Sequence, residues 1–223
     1  MRTYLLPLYT LLLLALLGPA HAVDGVLEIS QTCAVQTGCF SGDAAGYPVT
    51  IDGTAGRSYR LTGDLVVPDE NTDGIVLSTS DIGIDLNNFT IIRQGCVGAT
   101  TNCTPARESG SGSGVARTSF LNRGISVKNG SITGMGLYGV ILGDQAEVSG
   151  LRVRWNGRDG IFVSKGSTVW GNMAYQNGDD GIQASSGSTV SGNTAYQNGG
   201  DGVFASSGST ISGNTAFLNG KMA

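Results

Sequence analysis

Gly-Ser-Thr-Val-Ser-Gly-Asn-Thr-Ala-Tyr-Gln-Asn-Gly-Gly-Asp-Gly-Val-Phe-Ala-Ser-Ser, residues 187–207, is the clearest copy of a unit that the chain repeats, with a sister copy at 166–186 and another begun at Gly208. Val148, Val169, Val190 and Ile211 keep a constant step of 21 residues, as do Asn156, Asn177, Asn198 and Asn219. Periods near 20 residues mark solenoids. A leucine-rich repeat needs several leucines per unit, yet between 160 and 220 only Leu218 is present. A calcium-binding nonapeptide array would step by nine. The remaining solution is a coil of short parallel strands. Val190, Ala195, Val203 and Ala205 follow a period of two or stand alone, with no helical stripe. Parallel crossovers are overwhelmingly right-handed. The expected fold is therefore all-β, a right-handed parallel β-helix whose coils each rise by about 4.8 Å.

Val190-Ser-Gly-Asn-Thr-Ala195, followed by Asn-Gly-Xaa-Asp-Gly-Ile/Val at 177–182 and 198–203, resembles the repeats of right-handed parallel β-helix proteins of the pectin-lyase-like superfamily. The runs Ile84 to Ile91 and Ile125 to Ile132 are similar to earlier coils of that family. The resemblance covers most of the chain after about residue 50. It implies a fold more than an activity, because one fold hosts many functions. Lyases, hydrolases, epimerases, adhesins and proteins without known activity share this one.

Residues 1–22 read as a secretory signal peptide. Arg2 precedes an apolar run from Leu5 to Leu17, and Ala20-His21-Ala22 is a small-residue cleavage site. The run is too short to span a bilayer, so secreted or periplasmic location without membrane insertion is expected. His21 is the chain's single histidine, so the processed protein is left without imidazole as base or ligand. The formal charge is −4 and becomes more negative on loss of Arg2, which argues against nucleic acid as a partner. Residues 23–223 are expected to form one domain of about seven to nine coils.

Within that domain, 23–45 lacks the repeat and is read as an N-terminal cap, with a short strand at Val26 to Ile29. The stretch 94–117, with its Gly/Ser tract from Ser109, is read as an inserted loop leaving one corner. In pectin-lyase-like proteins such loops often wall a substrate groove; the alternative is a tolerated surface insertion. Four cysteines permit three pairings. The local one, Cys33 with Cys39 and Cys96 with Cys103, is the simplest in an exported chain, with zinc ligation as the alternative. After Asn219 the chain shows no capping segment, so self-association through the last coil is a further expectation.

Two constellations could carry chemistry. Asp159, Asp180 and Asp201 hold one place in successive coils. They could act as acid and base or hold Ca²⁺, although no cofactor is required; the alternative is that each caps a bend by accepting backbone N–H groups. The second is a column of Arg154, Tyr175, Tyr196 and Phe217. If Ala174, Ala195 and Ala216 point inward, these residues point outward, where rings and guanidinium could hold sugars and their acid groups; the alternative is a ladder that shields the strand edges or lies under a loop. Trp155, Arg152 and Arg158 stand beside it. Repeated asparagines suggest amide ladders.

Asn71-Thr-Asp73 and Asp179-Asp180 resemble two polygalacturonase motifs, but 108 positions separate them where the family needs neighbouring coils. The histidine motifs of polygalacturonases and epimerases and the arginine motif of pectate lyases are missing, so the sequence leaves enzymatic activity open. The favoured reading is binding of an extracellular or cell-envelope polysaccharide along the arginine and aromatic column. The alternatives are a polysaccharide lyase or hydrolase, and a structural or adhesive surface protein.

Overall fold

The computed structural model describes residues 25–101, 103–105 and 109–220; the leader expected at 1–22 lies outside them. The chain winds into a parallel β-helix with three strand faces. The first face stacks β1 (Leu27–Ile29), β3 (Ser58–Leu61), β6 (Gly83–Asp85), β9 (Ser126–Thr133), β11 (Glu147–Arg154), β13 (Thr168–Trp170), β16 (Thr189–Ser191) and β19 (Thr210–Ser212). The second stacks β4 (Leu65–Val67), β7 (Thr90–Arg93), the later halves of β9 and β11, β14 (Met173–Tyr175), β17 (Thr194–Tyr196) and β20 (Thr215–Phe217). The third stacks β2 (Val49–Ile51), β5 (Ile75–Leu77), β8 (Val115–Arg117), β10 (Val140–Leu142), β12 (Ile161–Val163), β15 (Ile182–Ala184) and β18 (Val203–Ala205). Strands β9 and β11 run unbroken through the bend between the first two faces and join them into one sheet.

Strand alternation decides what fills the interior. On the first face, Tyr59, Ile84, Val127, Val148, Val169, Val190 and Ile211 stand above one another. On the second, the inward column is Leu65, Ile91, Ile132, Val153, Ala174, Ala195 and Ala216. The third contributes Val49, Ile75, Val115, Val140, Ile161, Ile182 and Val203. Burying each branched side chain is worth about 1.5–3 kcal/mol, and on the second face the inward column passes from leucine and isoleucine to alanine toward the C-terminal coils.

The corners are held by side chains that bond from coil to coil. Asn172 donates from its backbone N and Nδ2 to Oδ1 of Asn193 (2.9 and 3.0 Å), and Asn193 does the same to Asn214 (2.9 and 2.9 Å). Nδ2 of Asn193 also donates back to the Val169 carbonyl at 3.0 Å. Asn156, Asn177, Asn198 and Asn219 form a second such ladder. Between the first two faces the bend needs a left-handed residue, as at Gly192 (φ +63°), where a side chain would be strained although space is open.

Two segments differ from the sequence reading. The tract from Ser109 to Gly114 is a packed rung of a corner, and β8 follows inside the expected loop of 94–117. Ser113 N donates to Oδ1 of Asp73 (2.6 Å), Gly112 N to the Glu70 carbonyl (2.9 Å), and Leu137 N to the Gly112 carbonyl (2.8 Å). Glycine is required there because a Cβ at 112 would meet the backbone of Thr72. In the N-terminal segment the expected strand, β1, already pairs with β3 as a rung. A helix that the sequence reading did not foresee follows it, α1 (Gln31–Gln36), N-capped by Ser30, whose Oγ accepts from Cys33 N. Ala34 on α1 packs against the core together with Cys39, Phe40 and Tyr47. Both local disulfides are formed, Cys33–Cys39 and Cys96–Cys103.

Candidate functional site

The outward side of the second face carries two side-chain columns that follow from its register. One is Val66, Ile92, Thr133, Arg154, Tyr175, Tyr196 and Phe217. The other starts at Asp64, whose Oδ1 accepts from Thr90 N at 2.8 Å, and continues through Thr90, Ser131, Arg152 and Met173. Between them runs an open groove of about 560 Å³, from Asp64 and Val66 to Met173 and Tyr175, across five rungs.

One wall is the loop closed by Cys96–Cys103, which contributes Val97 and Gly98. The loop is tied to the coil. Arg93 donates from Nε to the Gly134 carbonyl (2.6 Å) and from Nη2 to the Cys103 carbonyl (2.7 Å), and Thr104 Oγ1 donates to the Gln176 carbonyl (3.1 Å). The disulfide thus fixes the wall at the point where it leaves the second face.

Arg152 and Arg154 project from one strand, two residues apart, so their Cα atoms are about 7 Å apart. Arg154 lies 4.0 Å from the ring centroid of Trp155 and 6.0 Å from that of Tyr175. Trp155 is itself fixed by an Nε1 bond to Gln176 Oε1 at 2.9 Å. Neither arginine forms an ion pair among the described residues. Two unpaired guanidinium groups beside the hydroxyls of Thr90, Ser131 and Thr133 make an anion-receiving patch on a chain of net charge −4.

All four residues expected in the arginine and aromatic column stand in it, but Tyr196, between two rings, offers neither of its faces. Tyr175 and Tyr196 stack 4.9 Å apart at 3°, and Tyr196 and Phe217 stack 5.0 Å apart at 2°. Both faces of Tyr196 are covered by its neighbours, leaving edges toward solvent. A sugar packs on a ring face, so Tyr196 is a rung of a stack rather than a platform. Burial, then the neighbouring Tyr175, pushes its hydroxyl pKa up, against a lowering by Arg154. Tyr175 alone of the three rings lines the groove.

The aspartates occupy a different corner, before the third face, and line no part of the groove. Asp159 and Asp180 each accept a backbone N–H, as the structural alternative required, but from the next coil rather than from their own bend. Asp180 N donates to Oδ1 of Asp159 (3.1 Å) and Asp201 N to Oδ1 of Asp180 (2.7 Å). Asp73 holds the same place further up the stack, accepting from Ser113. Asp159 is 1% exposed, and its Oδ2 is buried without a partner. Burial, reinforced by the Asp180 and Asp179 charges against the Asp180 N–H and Arg158, pushes its carboxyl up to about 7. Arg158 belongs to this corner too, 5.2 Å from the Tyr138 ring. Among the described residues no three His, Cys, Asp or Glu side chains converge as a metal site would require.

Sequence reasoning missed Asp64, Thr90, Ile92, Ser131, Thr133 and Met173. Ser131 and Thr133 lie one step of 21 before Arg152 and Arg154, and Met173 one step after, so the repeat could have found them.

Among solved structures, the chain is similar to the A-module of the mannuronan C-5 epimerase AlgE4 of Azotobacter vinelandii, with 16% identity and a TM-score of 0.49. The match covers 87% of this chain and 63% of that one, so the chain spans less than two thirds of that module. No curated protein matches it in sequence. Residues 113–223 match the family model of the right-handed β-helix region, which gives the winding described above its hand: the chain is a right-handed parallel β-helix protein.

Proposed function

We propose that this protein is exported and binds an acidic polysaccharide in the groove between the second face and the Cys96–Cys103 loop, without turning it over. The observation that carries the reading is the pair of arginines, Arg152 and Arg154, without an ion partner among the described residues and set among hydroxyls in an open trough. Such a trough suits a polymer that enters from the side. Arg154 is the strongest contact because Trp155 already orients its guanidinium. Hydrolysis by a carboxylate pair is disfavoured because Asp64 is the one carboxylate among the described lining residues. The two disulfides and the leader-like start of the sequence fit an oxidising compartment outside the cytoplasm.

The test is a panel of acidic and neutral polysaccharides scored for affinity, new reducing ends and unsaturated uronides. Arg154→Ala should weaken binding of acidic polymers about tenfold to a hundredfold, the range for losing a charged hydrogen bond. Tyr196→Ala should change it less than threefold, because that ring is covered on both faces. Undiminished affinity in Arg154→Ala would refute the groove as the binding site, and product formation by the wild type would refute binding without turnover.

A further inference from the structure

The groove is charged at two separated places and uncharged between them. Asp64 stands on the first rung, beside β4, and Arg152 and Arg154 stand three rungs on, along β11. At one strand spacing per rung this is about 14 Å. The rungs between present Thr90, Ile92, Ser131 and Thr133, and beyond the arginines come Met173 and Tyr175. Asp64, Arg152 and Arg154 are the only charged side chains among the described lining residues.

The groove crosses the strands, so an extended glycan lying in it runs along the coil axis. A pyranose unit in such a chain advances by nearly the length of one rung. Each rung then faces about one sugar. The arginines share a rung and lie side by side across the groove, so they converge on one acidic substituent rather than on two successive ones. When that substituent is seated, a unit about three sugars away lies against Asp64. The Asp64 carboxylate is held there by the Thr90 N–H and cannot turn away freely. An acidic unit at that place is repelled. A neutral unit meets no such penalty, and its hydroxyls find the acceptor that Asp64 still offers. Between the ends, the hydroxyls of Thr90, Ser131 and Thr133 and the apolar surface of Val66 and Ile92 match neutral sugars.

We infer that the ligand is a mixed glycan, with single acidic residues set among neutral ones, rather than a homopolymer of uronic acid. The inference rests on the reading of the groove as a glycan site, and it assigns Asp64 the part of rejecting a fully charged chain.

Calorimetric titration of the whole exported chain can separate the two. The probes are an oligogalacturonate, in which every residue is acidic, an oligosaccharide of deacylated gellan, which carries one glucuronate per linear tetrasaccharide, and a neutral glucan oligosaccharide of the same length. The gellan fragment should bind about tenfold tighter than either of the others, the size expected from a single close charge–charge interaction. Asp64→Asn, which keeps an oxygen to accept from Thr90, should raise oligogalacturonate affinity about tenfold and leave the gellan fragment within twofold. An unchanged melting temperature would show that the variant is folded. Oligogalacturonate binding as tightly as gellan in the wild type, or unmoved by Asp64→Asn, overturns the mixed-glycan inference while leaving the groove in place. If neither acidic probe binds, or if Arg154→Ala alters neither, the groove reading falls with it.

Discussion

At the scale of single residues, the same side-chain type serves opposite ends according to its rung. Asp64 is exposed and lines the groove, whereas Asp159 is sealed in a corner with one oxygen unpartnered. Asp159 is held near a pKa of about 7, chiefly by burial. An unfolded aspartate titrates near 3.9. Between those values the folded chain keeps a proton that the unfolded chain has lost, so stability from this group is complete below about pH 4 and is lost as pH rises through 7. The shift corresponds to an order of 4 kcal/mol at full expression. Asp159→Asn can accept from Asp180 N and cannot ionise. It should therefore match the wild type within about 1 kcal/mol near pH 4 and exceed it by roughly 2–4 kcal/mol at pH 8. Urea unfolding at both pH values checks this, and a gap independent of pH would show that Asp159 titrates normally.

At the scale of elements, three-residue strands are too short to persist alone, and the coil-to-coil amides make them cooperative. Asn193 is 1% exposed, accepts twice from Asn172 and donates to Val169 and Asn214. Asn193→Ala would strand several buried polar groups at about 1–3 kcal/mol each. A loss of about 3 kcal/mol or more is expected in equilibrium denaturation. Asn214→Ala should cost less, because its amide, less buried than that of Asn193, is more open to water. Equal losses at the two positions would mean that the ladder is not limited by burial.

At the scale of the whole molecule, apart from the loop that carries Thr104 to Gln176 three rungs on, each coil touches its two neighbours, so stability is close to a sum over adjacent pairs. Deleting 187–207 joins Ser186 to Gly208, as Ser186 is joined to Gly187 in the intact chain, and brings Ile211 above Val169 and Ala216 above Ala174. The shortened protein should fold, keep the glycan affinity proposed for the groove, and show a urea m-value lower by about a tenth, in proportion to the surface it no longer exposes. Deleting 187–206 instead leaves the register one residue out, which turns inward residues outward in the last coil. Far-UV circular dichroism and urea unfolding distinguish the two. Equal stability of the deletions would contradict a register set by the 21-residue step.

Wherever the repeat is regular, the winding is legible from the order of residues. A side chain's direction there depends only on its place in a 21-residue unit, so Val190, Ala195, Asn193 and Tyr196 could be assigned to inside, corner and outside from the order of residues alone. The pairing of Cys33 with Cys39 and Cys96 with Cys103 was legible for the same reason, since both bonds are local. The groove was not. From Ile92 to Thr133 the coil is interrupted by a 41-residue step, and from Ile75 to Val115 by a 40-residue one, so counting along the chain no longer says which rung lies above which. Only the folded backbone places Asp64, Thr90 and the Cys96–Cys103 loop beside Arg152 and Arg154. Only the orientation of the rings shows that Tyr196 spends both faces on its neighbours. Periodic, nearest-neighbour packing can be read from one dimension; a site assembled across insertions depends on distances that close in three.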